Sequence, residues 1–374
     1  MSLRIGLNLT YVVEESGGSA TYARELVPRL LQSGSAREIT AYVAHGAPAD
    51  LLAHDWSPEV RWVRLPSPRW RWQTLHELVG MGLDARRRRL DVVHGLANVS
   101  PVVHPGVASV ATILDVIWMH RPEALELVPR LVMRTITPVV ARAATRIIAI
   151  SHAARDDIAA MLHVDPAKFD VTPLGVSVPA ARAPVPGLRE RLELGPEPIV
   201  LCVAAKRAHK NIDGLLRALA LLGEPRPQLV LPGSHNAYER ELRELAGELG
   251  VADRLRCPGW ISDDDLDALY REAGCFVLPS FEEGFGLPVL EAMAREVPVA
   301  CSDIPVLVEV AGAAAELFDP AQPRSIATAV ERLLGDAEHS RTLVKRGRAR
   351  CRDYTWDRTA AATLDSYRRA VQER

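Results

Sequence analysis

Residues 275–294 read CFVLPSFEEGFGLPVLEAMA and combine a buried strand, a glycine loop and the start of a helix. The apolar run 275–278 predicts the strand, and Pro288 opens the helix at a position where its missing N–H group costs nothing. Gly284 and Gly286 permit a close approach of the backbone, and the helix N-terminus carries positive partial charge. The loop therefore favours a bound diphosphate.

Two carboxylates flank this loop. Glu283 precedes the glycines, and Glu291 lies one turn into the helix. Both would repel a phosphate group because they carry the same charge. We therefore expect them to bind the hydroxyl groups of sugars.

Short apolar runs alternate with longer amphipathic stretches on both sides of this segment. This is the pattern of strand–helix units that build a parallel sheet covered on both faces. The predicted strands are 5–9, 39–43, 60–65, 91–94, 109–114, 146–150, 199–203, 228–231, 254–257, 275–278 and 299–301. The sequence thus predicts an α/β protein with doubly wound sheets.

Prolines and small residues divide this series into two halves. They are concentrated between residues 175 and 187, where neither a strand nor a helix can continue. We expect an N-terminal domain at 1–178, a linker at 179–197 and a C-terminal domain at 198–355. Ligands of such sheets bind at the carboxyl ends of the strands, which here would face a cleft between the domains.

The composition excludes several classes of protein. The 374 residues are 48% hydrophobic and 25% charged, as in globular proteins, and the formal charge of -2 gives no drive toward nucleic acid. The five cysteines lack the spacing of a zinc or disulfide framework, so we expect buried thiols in a reducing cytoplasm. Residues 1–9 do not resemble a signal peptide, and no uncharged apolar run reaches the ~18–20 residues of a membrane helix.

The pair Glu283 and Glu291, with seven residues between them that include Gly-Phe-Gly-Leu-Pro, resembles the motif of retaining glycosyltransferases of family 4, which have the GT-B fold. Other segments follow in the order and spacing of that family: 203–211, 229–233, Pro258-Gly259-Trp260 and Tyr354-Thr355-Trp356. The resemblance implies two Rossmann-like domains facing each other across a cleft. It also implies that residues 356–374 form a last helix that returns to the N-terminal domain.

By this resemblance Glu291 binds the ribose of a nucleotide and Glu283 binds the donor sugar. The loop amides that would bind the sugar and the phosphates belong to Gly284, Phe285, Gly286 and Leu287. One departure lies behind the helix, where Glu296 precedes Val297 in place of a common glycine, so we expect a different turn there.

A second loop supplies cations. Lys210 matches the family lysine that neutralises the leaving diphosphate, whereas Ala205 stands where an arginine is common. Arg207 lies in the same loop and is our candidate to replace that arginine, because a guanidinium binds phosphate in a bidentate way. Near the N-terminus, Gly17 and Gly18 resemble the family's glycine loop, which contributes to the donor site.

Strand ends of the N-terminal domain carry further candidates. His94 and Asp115 are predicted to line the acceptor site, Asp115 also as a catalytic group, with capping or core hydrogen bonding as the alternative. Family members often place a histidine at the position of Leu114, and we assign its contact with the donor sugar to His120. Ser151 is expected to cap a helix.

Other charged and aromatic segments receive structural interpretations. Ser262 and the three aspartates that follow it indicate a helix N-cap and not a metal site. Arginines and tryptophans at 61–72, and the arginines at 86–89, indicate solvated charges and packed rings, with peripheral contact to a membrane or to an amphiphilic acceptor as the alternative.

The predicted function is transfer of a sugar, with retention and without a metal or another cofactor, from a nucleotide-diphosphate sugar to an acceptor hydroxyl. The amino-acid sequence of the motif favours GDP-mannose as the donor. The acceptor is a carbohydrate, a lipid-linked glycan or a small molecule. The alternatives are a nucleotide-sugar epimerase on the same fold and a non-catalytic nucleotide-sugar binding protein.

Overall fold

The computed structural model describes residues 2–12, 17–47, 49–65, 70–177, 185–224 and 226–374. It divides into two compact units. Unit 1 comprises Met1–Gly175 with Thr355–Arg374, and unit 2 comprises Val176–Tyr354. Each unit has its own parallel sheet with helices packed against it.

The described part of unit 1 contains a seven-stranded parallel sheet. Its strands are β1 (Leu3–Asn8), β2 (Ala36–Val43), β3 (Val60–Arg64), β4 (Val92–Gly95), β5 (Ala108–Ile113), β6 (Arg146–Ala149) and β7 (Phe169–Val171). The spatial order is β3-β2-β1-β4-β5-β6-β7. The central strands β4 and β5 are buried over their whole length, as expected for a sheet covered on both faces.

The helices in the first part of unit 1, Met1–Gly175, lie between its strands in the sequence. They are α1 (Gly18–Gln32), α2 (Ala49–Leu52), α3 (Trp70–Leu75), α4 (Met81–Arg87), α5 (Ile117–His120), α6 (Leu127–Ala143) and α7 (His152–Leu162). A π-helical segment, His76–Gly80, joins α3 to α4.

Unit 2 repeats the design with six parallel strands among its described residues. They are β8 (Ile199–Leu201), β9 (Gln228–Pro232), β10 (Leu255–Gly259), β11 (Cys275–Leu278), β12 (Val299–Ser302) and β13 (Glu316–Phe318). Their spatial order is β10-β9-β8-β11-β12-β13, the order of a dinucleotide-binding fold.

The helices of unit 2 cover both faces of this sheet. They are α8 (Leu188–Arg191), α9 (Ile212–Leu221), α10 (Ala237–Glu248), α11 (Asp263–Glu272), α12 (Leu287–Ala294), α13 (Pro305–Ala311), α14 (Pro323–Gly335) and α15 (Ala337–Arg350).

The last helix, α16 (Trp356–Glu373), belongs to unit 1 although it follows unit 2 in the chain. The ring of Trp356 stacks on that of Tyr22 at 6.3 Å, and Thr359 donates a hydrogen bond to the carbonyl oxygen of Pro173. Gly175 passes so close to this helix that a Cβ atom there would lie 2.2 Å from the Trp356 nitrogen. The chain therefore returns to unit 1 through a tightly packed junction.

The predicted α/β class with doubly wound sheets is confirmed, and every predicted strand is present. Two strands at the sheet edges, β7 and β13, were not predicted. Each has three residues, and Asp170 interrupts the apolar pattern of β7. This carboxylate is held by Arg146 and Arg369, each at 2.8 Å, and such partners are invisible in a local pattern.

Cysteine burial also follows the sequence-based interpretation. All five thiols are free, and four are buried, with Cys257 partly exposed. Burial raises the pKa of Cys202, Cys275 and Cys301 to about 12. Within the residues that the structure describes, no helix is both long enough and apolar enough to cross a membrane.

Candidate active site

The glycine loop of unit 2 leaves β11 and turns into α12 at Gly286. This residue has a φ of 89°, and a Cβ atom on it would lie 2.4 Å from Leu307 Cδ2. Both observations require glycine. Phe285 is buried beside the ring of Tyr354 in an edge-to-face contact at 5.8 Å. The backbone that presents the N-terminus of α12 is therefore fixed by packing.

Glu283 and Lys210 form an ion pair in this loop. Lys210 Nζ lies 2.7 Å from Glu283 Oε1, and their side chains are 15% and 10% exposed. Ser280 Oγ donates to the same carboxylate oxygen at 2.7 Å. Two donors thus hold Oε1, and they set the direction of the whole carboxylate.

Asn211 joins the two loops that supply this pair. Its φ of 54° places it in the left-handed region between the turn Ala208–Lys210 and α9. Its side-chain amide donates to the carbonyl oxygens of Pro279 and Pro320, at 3.0 and 2.8 Å. The sequence contained Asn211 next to Lys210, but partners about 70 and 110 residues away gave no local signal of its role.

Glu291 is oriented by Tyr270, whose hydroxyl donates to Glu291 Oε2 at 3.1 Å. Burial raises the pKa of the Glu291 carboxyl, and the nearby Arg295 guanidinium opposes that shift. Arg295 also lies over the Tyr270 ring at 4.9 Å. Sequence reasoning identified Glu291 but not Tyr270, because α11 and α12 meet only in the folded unit.

The histidine predicted as a site residue in unit 1 has a different environment from the carboxylates of unit 2. His94 lies inside β4 and is fully buried. Its Nδ1 is 2.8 Å from the Tyr367 hydroxyl, and its Nε2 is 2.8 Å from Thr112 Oγ1. Burial lowers the pKa of His94 to about 3, so the ring is neutral. Both ring nitrogens are thus engaged in the core, which is the alternative stated for His94 above, and its place in the acceptor site stays a prediction.

Asp115 and His120 lie beyond β5. Asp115 Oδ1 accepts from the Ile117 backbone N–H at 3.2 Å, which is a local turn contact. His120 Nε2 lies 2.7 Å from Asp157 Oδ1 at a partly exposed position. Ser151 caps α7, as predicted, by accepting from the Ala154 N–H at 2.9 Å. The structure thus gives each of these residues a partner inside unit 1.

The glycine pair near the N-terminus occupies the start of a helix. Gly17 is the N-cap of α1, and Gly18 is its first residue; both are exposed. α1 therefore begins within the glycine pair itself.

An unexpected carboxylate lies near the carboxyl end of β1. Glu77, in the π-helical segment, is buried and accepts a hydrogen bond from the Thr10 hydroxyl. Gln73 donates to the same oxygen at 3.3 Å, and burial raises the pKa of Glu77. A single glutamate in an amphipathic stretch gave no signal for this position in the sequence.

Two family models match most of the chain. Residues 16–178 match the model described as Glycosyltransferase Family 4, and residues 188–350 match Glycosyl transferases group 1. The chain belongs to the group 1, family 4 glycosyltransferases.

Two relatives and one solved structure illustrate the range of this similarity. O-antigen chain mannosyltransferase B of Escherichia coli is 31% identical over 229 residues, which cover 59% of this chain and 60% of that protein. The MMP alpha-(1->4)-mannosyltransferase of Mycolicibacterium hassiacum is 29% identical over 312 residues, covering 77% of this chain and 73% of that protein.

The solved structure is a sucrose-phosphate synthase from Thermosynechococcus elongatus. It superimposes with a TM-score of 0.76 over 98% of both chains, at 24% identity. This likeness confirms the GT-B fold class. The match to the Escherichia coli mannosyltransferase leaves 40% of that relative uncovered.

The cation loop of this glycosyltransferase departs from the family pattern in an informative way. Lys206, next to Ala205, is buried; its Nζ lies 3.1 Å from Glu239 Oε2 and donates to the Gly233 carbonyl oxygen at 2.7 Å. Lys206 therefore stabilises the turn after β9 and does not replace the missing arginine. Arg207 is exposed and precedes the turn that carries Lys210.

The residue behind α12 that stands in place of a common family glycine adopts a left-handed backbone conformation. Glu296 has a φ of 61°, the left-handed conformation that a glycine adopts at low cost. Its carboxylate lies 3.2 Å from Arg348. Glu296 therefore occupies a conformation that a glycine would adopt with less strain.

The acidic and aromatic segments take structural roles where the structure describes them. Ser262 caps α11 by accepting from the Asp265 N–H at 3.1 Å. Trp62 donates its indole N–H to Ser57 and packs beside Trp56. Residues 66–69 lie outside the described part. Among the described residues, no three histidine, cysteine or acidic side chains are grouped as metal ligands.

Proposed function

We propose that this glycosyltransferase moves a sugar from a nucleoside-diphosphate donor to an acceptor hydroxyl with retention at the anomeric carbon. The observation that carries the proposal is the Glu283–Lys210 pair in front of the α12 N-terminus, with Glu291 held by Tyr270 one turn into that helix. Two carboxylates, one ammonium group and one helix end provide the three kinds of contact that such a donor needs.

The donor engages these groups in a definite way. Its diphosphate accepts from the loop amides at the α12 N-terminus, where the helix dipole favours negative charge. When the donor binds, the ammonium group of Lys210 exchanges its contact with Glu283 for a contact with the phosphate. Glu283, still held by Ser280, then accepts hydrogen bonds from the sugar hydroxyls, and Glu291 accepts from the ribose.

Catalysis follows from positioning and electrostatics. The bond from the anomeric carbon to the diphosphate oxygen breaks, and the bonding electrons leave with the diphosphate. The acceptor oxygen bonds to the same face of the oxocarbenium-like carbon. The acceptor proton passes to the departing phosphate oxygen, so the reaction needs no separate base.

Lys210 and the helix end supply the positive charge on which this step depends. We therefore propose that turnover requires no divalent cation. The hydroxyl groups of Ser280 and Tyr270 hold Glu283 and Glu291, respectively, which suits these carboxylates to further hydroxyl groups better than to a metal.

GDP-mannose is the proposed donor. The loop sequence favours it, and the names of the two relatives above identify them as mannosyltransferases. Unit 1 supplies the acceptor site for a carbohydrate, a lipid-linked glycan or a small molecule, and we propose a cytoplasmic site of action.

A donor panel tests the proposal. The purified chain is incubated with GDP-mannose, UDP-glucose and other nucleotide sugars, with and without simple α-mannoside acceptors, in the presence of EDTA. Nuclear magnetic resonance of the product reports its anomeric configuration. We expect an α-mannoside product that requires the acceptor.

Three outcomes would contradict the proposal. Conversion of the donor to free nucleotide and a rearranged sugar without an acceptor indicates the epimerase. Donor binding without turnover on any acceptor supports the binding protein. Loss of turnover in EDTA, restored by magnesium, removes the metal-independent mechanism.

A matched pair of variants separates the roles of adjacent carboxylates. Glu283→Gln should retain nucleoside-diphosphate affinity and lose turnover, because its partner is the transferred sugar. Glu282→Gln, one residue away, should retain both. An equal loss of nucleotide affinity and turnover in Glu283→Gln would contradict the assignment of Glu283 to the sugar.

A further inference from the structure

The side chain of Arg295, at the C-terminal end of α12, contacts both α11 and α12. Its Nε lies 2.8 Å from Asp267 Oδ1, and its Nη1 donates to the carbonyl oxygen of Glu291 at 3.0 Å. The guanidinium carbon lies 4.9 Å from the centre of the Tyr270 ring, and the side chain is 16% exposed. These contacts hold the guanidinium in one place, beside the tyrosine that orients Glu291.

Asp267 supplies the negative charge that holds Arg295. Its side chain is 5% exposed, and its other carboxylate oxygen lies 2.9 Å from Arg271, four residues along α11. A buried carboxylate needs paired charges because water no longer solvates it. Arg271 is the more exposed of the two partners. The same carboxylate thus has one partner on its own helix and one partner on α12.

The contacts of Arg295 leave the Glu291 carboxylate available to a ligand. Tyr270 donates to Oε2, and no donor among the residues that the structure describes contacts Oε1. Within the same residues, the carboxylate that pairs with Arg295 belongs to Asp267 and not to Glu291. Glu291 is half-buried, so its free oxygen is within reach of a ligand. Asp267 therefore keeps the guanidinium near Glu291 without letting it occupy the carboxylate.

The charge of Arg295 favours the ionised form of Glu291. Burial raises the pKa of this carboxyl, and Arg295 opposes that shift most strongly. Two groups of α11 also face it: the Tyr270 hydroxyl favours the ionised form, and the Asp263 carboxylate disfavours it. An ionised carboxylate accepts hydrogen bonds at both oxygens, whereas a protonated one donates from one of them. Arg295 therefore acts on the form of Glu291 that accepts from two hydroxyl groups.

We propose that Arg295, held by Asp267, is a positioning residue of the nucleotide site, which maintains Tyr270 and Glu291 in the arrangement that binds two ribose hydroxyls. The inference rests on the proposed function, in which Glu291 binds the ribose. The competing interpretation is a structural one. In that case the ion pair only fastens α11 to α12, and its effect on a nucleotide would not depend on Glu291.

Nucleotide titration of two arginine variants tests the positioning role. The wild type is titrated with GDP, UDP and ADP, and the nucleotide that binds most tightly is used throughout. Arg295→Gln should lower its affinity about tenfold at pH 7, because the charge beside Glu291 is lost. Arg271→Gln removes the other partner of the same carboxylate and should stay within about twofold of the wild type.

A second variant protects the test against an effect of the buried carboxylate. Arg295→Gln leaves Asp267 with one partner fewer, which costs stability. Arg295→Gln combined with Asp267→Asn removes both charges of the pair and should show the same loss of affinity. Thermal unfolding confirms that each variant is folded at the temperature of the titration.

Two further measurements distinguish positioning from a structural role. In a Glu291→Gln background, Arg295→Gln should lower affinity no further, because its effect passes through the Glu291 carboxylate. The affinity of Arg295→Gln relative to that of the wild type should also recover as the pH rises from 6 to 8.5, since Glu291 ionises again. Loosened packing between two helices would produce neither result.

The outcomes separate this inference from the proposed function. Wild-type affinity in folded Arg295→Gln, together with a loss in Glu291→Gln, overturns the inference and leaves the ribose assignment intact. An equal loss for Arg295→Gln in both backgrounds also overturns it, in favour of the structural interpretation. Unchanged affinity in Glu291→Gln, or a wild type that binds none of the three nucleotides, contradicts the proposed nucleotide site and the inference with it.

Discussion

Both units have candidate residues toward the carboxyl ends of the strands of similar sheets, but the environments of these residues differ. In unit 2, Glu283 lies five residues beyond the end of β11, where one ammonium group and one hydroxyl hold it. In unit 1, His94 lies within β4, where the core engages both ring nitrogens. A residue after a strand can meet a ligand, whereas a residue within a central strand points into a covered face of the sheet.

Substitution of Lys210 should give the largest effect and is the severest test of this contrast. Lys210→Ala should lower kcat far more than it raises the KM for the donor, because the charge that it neutralises grows as the bond to the sugar breaks. A loss of about 3 kcal/mol corresponds to about a hundredfold in rate. Steady-state kinetics on the donor identified by the panel measure it.

Arg207 provides the control within the same loop. A comparable fall in kcat for Arg207→Ala would show that Arg207 replaces the arginine missing at Ala205. Normal turnover would leave Lys210 and the loop amides as the source of positive charge. If Lys210→Ala itself keeps wild-type kcat, the contrast between the two units fails, because Lys210 would then have only a structural role, as a buried core residue has.

The second-largest expected effect is at Glu291, where substitution should change nucleotide affinity but not the stability of the fold. Glu291→Gln should weaken nucleoside-diphosphate affinity by about 1.5–3 kcal/mol, since a carboxylate accepting from two ribose hydroxyls is lost. Stability at neutral pH should not fall, because burial opposes the charge of this carboxyl and raises its pKa. Isothermal titration and thermal unfolding measure the two quantities.

Tyr270→Phe serves as the companion variant. It removes the hydroxyl that orients Glu291 and keeps the ring, so nucleotide affinity should fall less than in Glu291→Gln. Unchanged affinity in Glu291→Gln would remove this carboxylate from the site. A stability loss as large as the affinity loss would assign it to the core, as for His94.

The sequence predicted the elements whose signals are local, and it failed where partners are distant. The strand–loop–helix pattern at 275–294 was sufficient to predict β11, the glycine loop and α12. The burial of Lys206 depends on Glu239 and Gly233, and that of His94 depends on Tyr367 in a helix 273 residues away. No window of sequence contains both members of these pairs, so a charged or titratable residue at a strand end looked the same whether free or engaged.

The third prediction concerns pH and the core of unit 1. The pKa of His94 is about 3 in the folded chain, whereas the ordinary value for a histidine, 6.5, applies in the unfolded chain. As the pH falls, the unfolded state therefore binds a proton at this ring before the folded state does. The contribution of neutral His94 is fully present above pH 6.5 and is lost as the pH falls toward 3. Between pH 6.5 and 5 the free energy of unfolding should fall by about 2 kcal/mol.

Denaturant unfolding at several pH values measures this loss. His94→Gln should flatten the dependence over this interval, whatever its effect at neutral pH, because the titrating group is gone. If His94→Gln retains the wild-type slope, another group accounts for the acid sensitivity and the buried histidine of unit 1 is not its source.

The smallest effect tests the backbone behind the unit 2 loop. Glu296 has a φ of 61°, which costs an ordinary residue about 1–2 kcal/mol and a glycine almost nothing. Its ion pair with Arg348 joins two exposed side chains and contributes less than about 1 kcal/mol. Glu296→Gly should therefore stabilise unit 2 by about 1 kcal/mol, as a shift in the urea midpoint, and Glu296→Ala should not, because it removes the ion pair and keeps the strain. Since Glu296 lies at the opposite end of α12 from Gly286, kcat and donor KM should stay unchanged in both variants. A destabilised Glu296→Gly would mean that the pair with Arg348 outweighs the backbone strain.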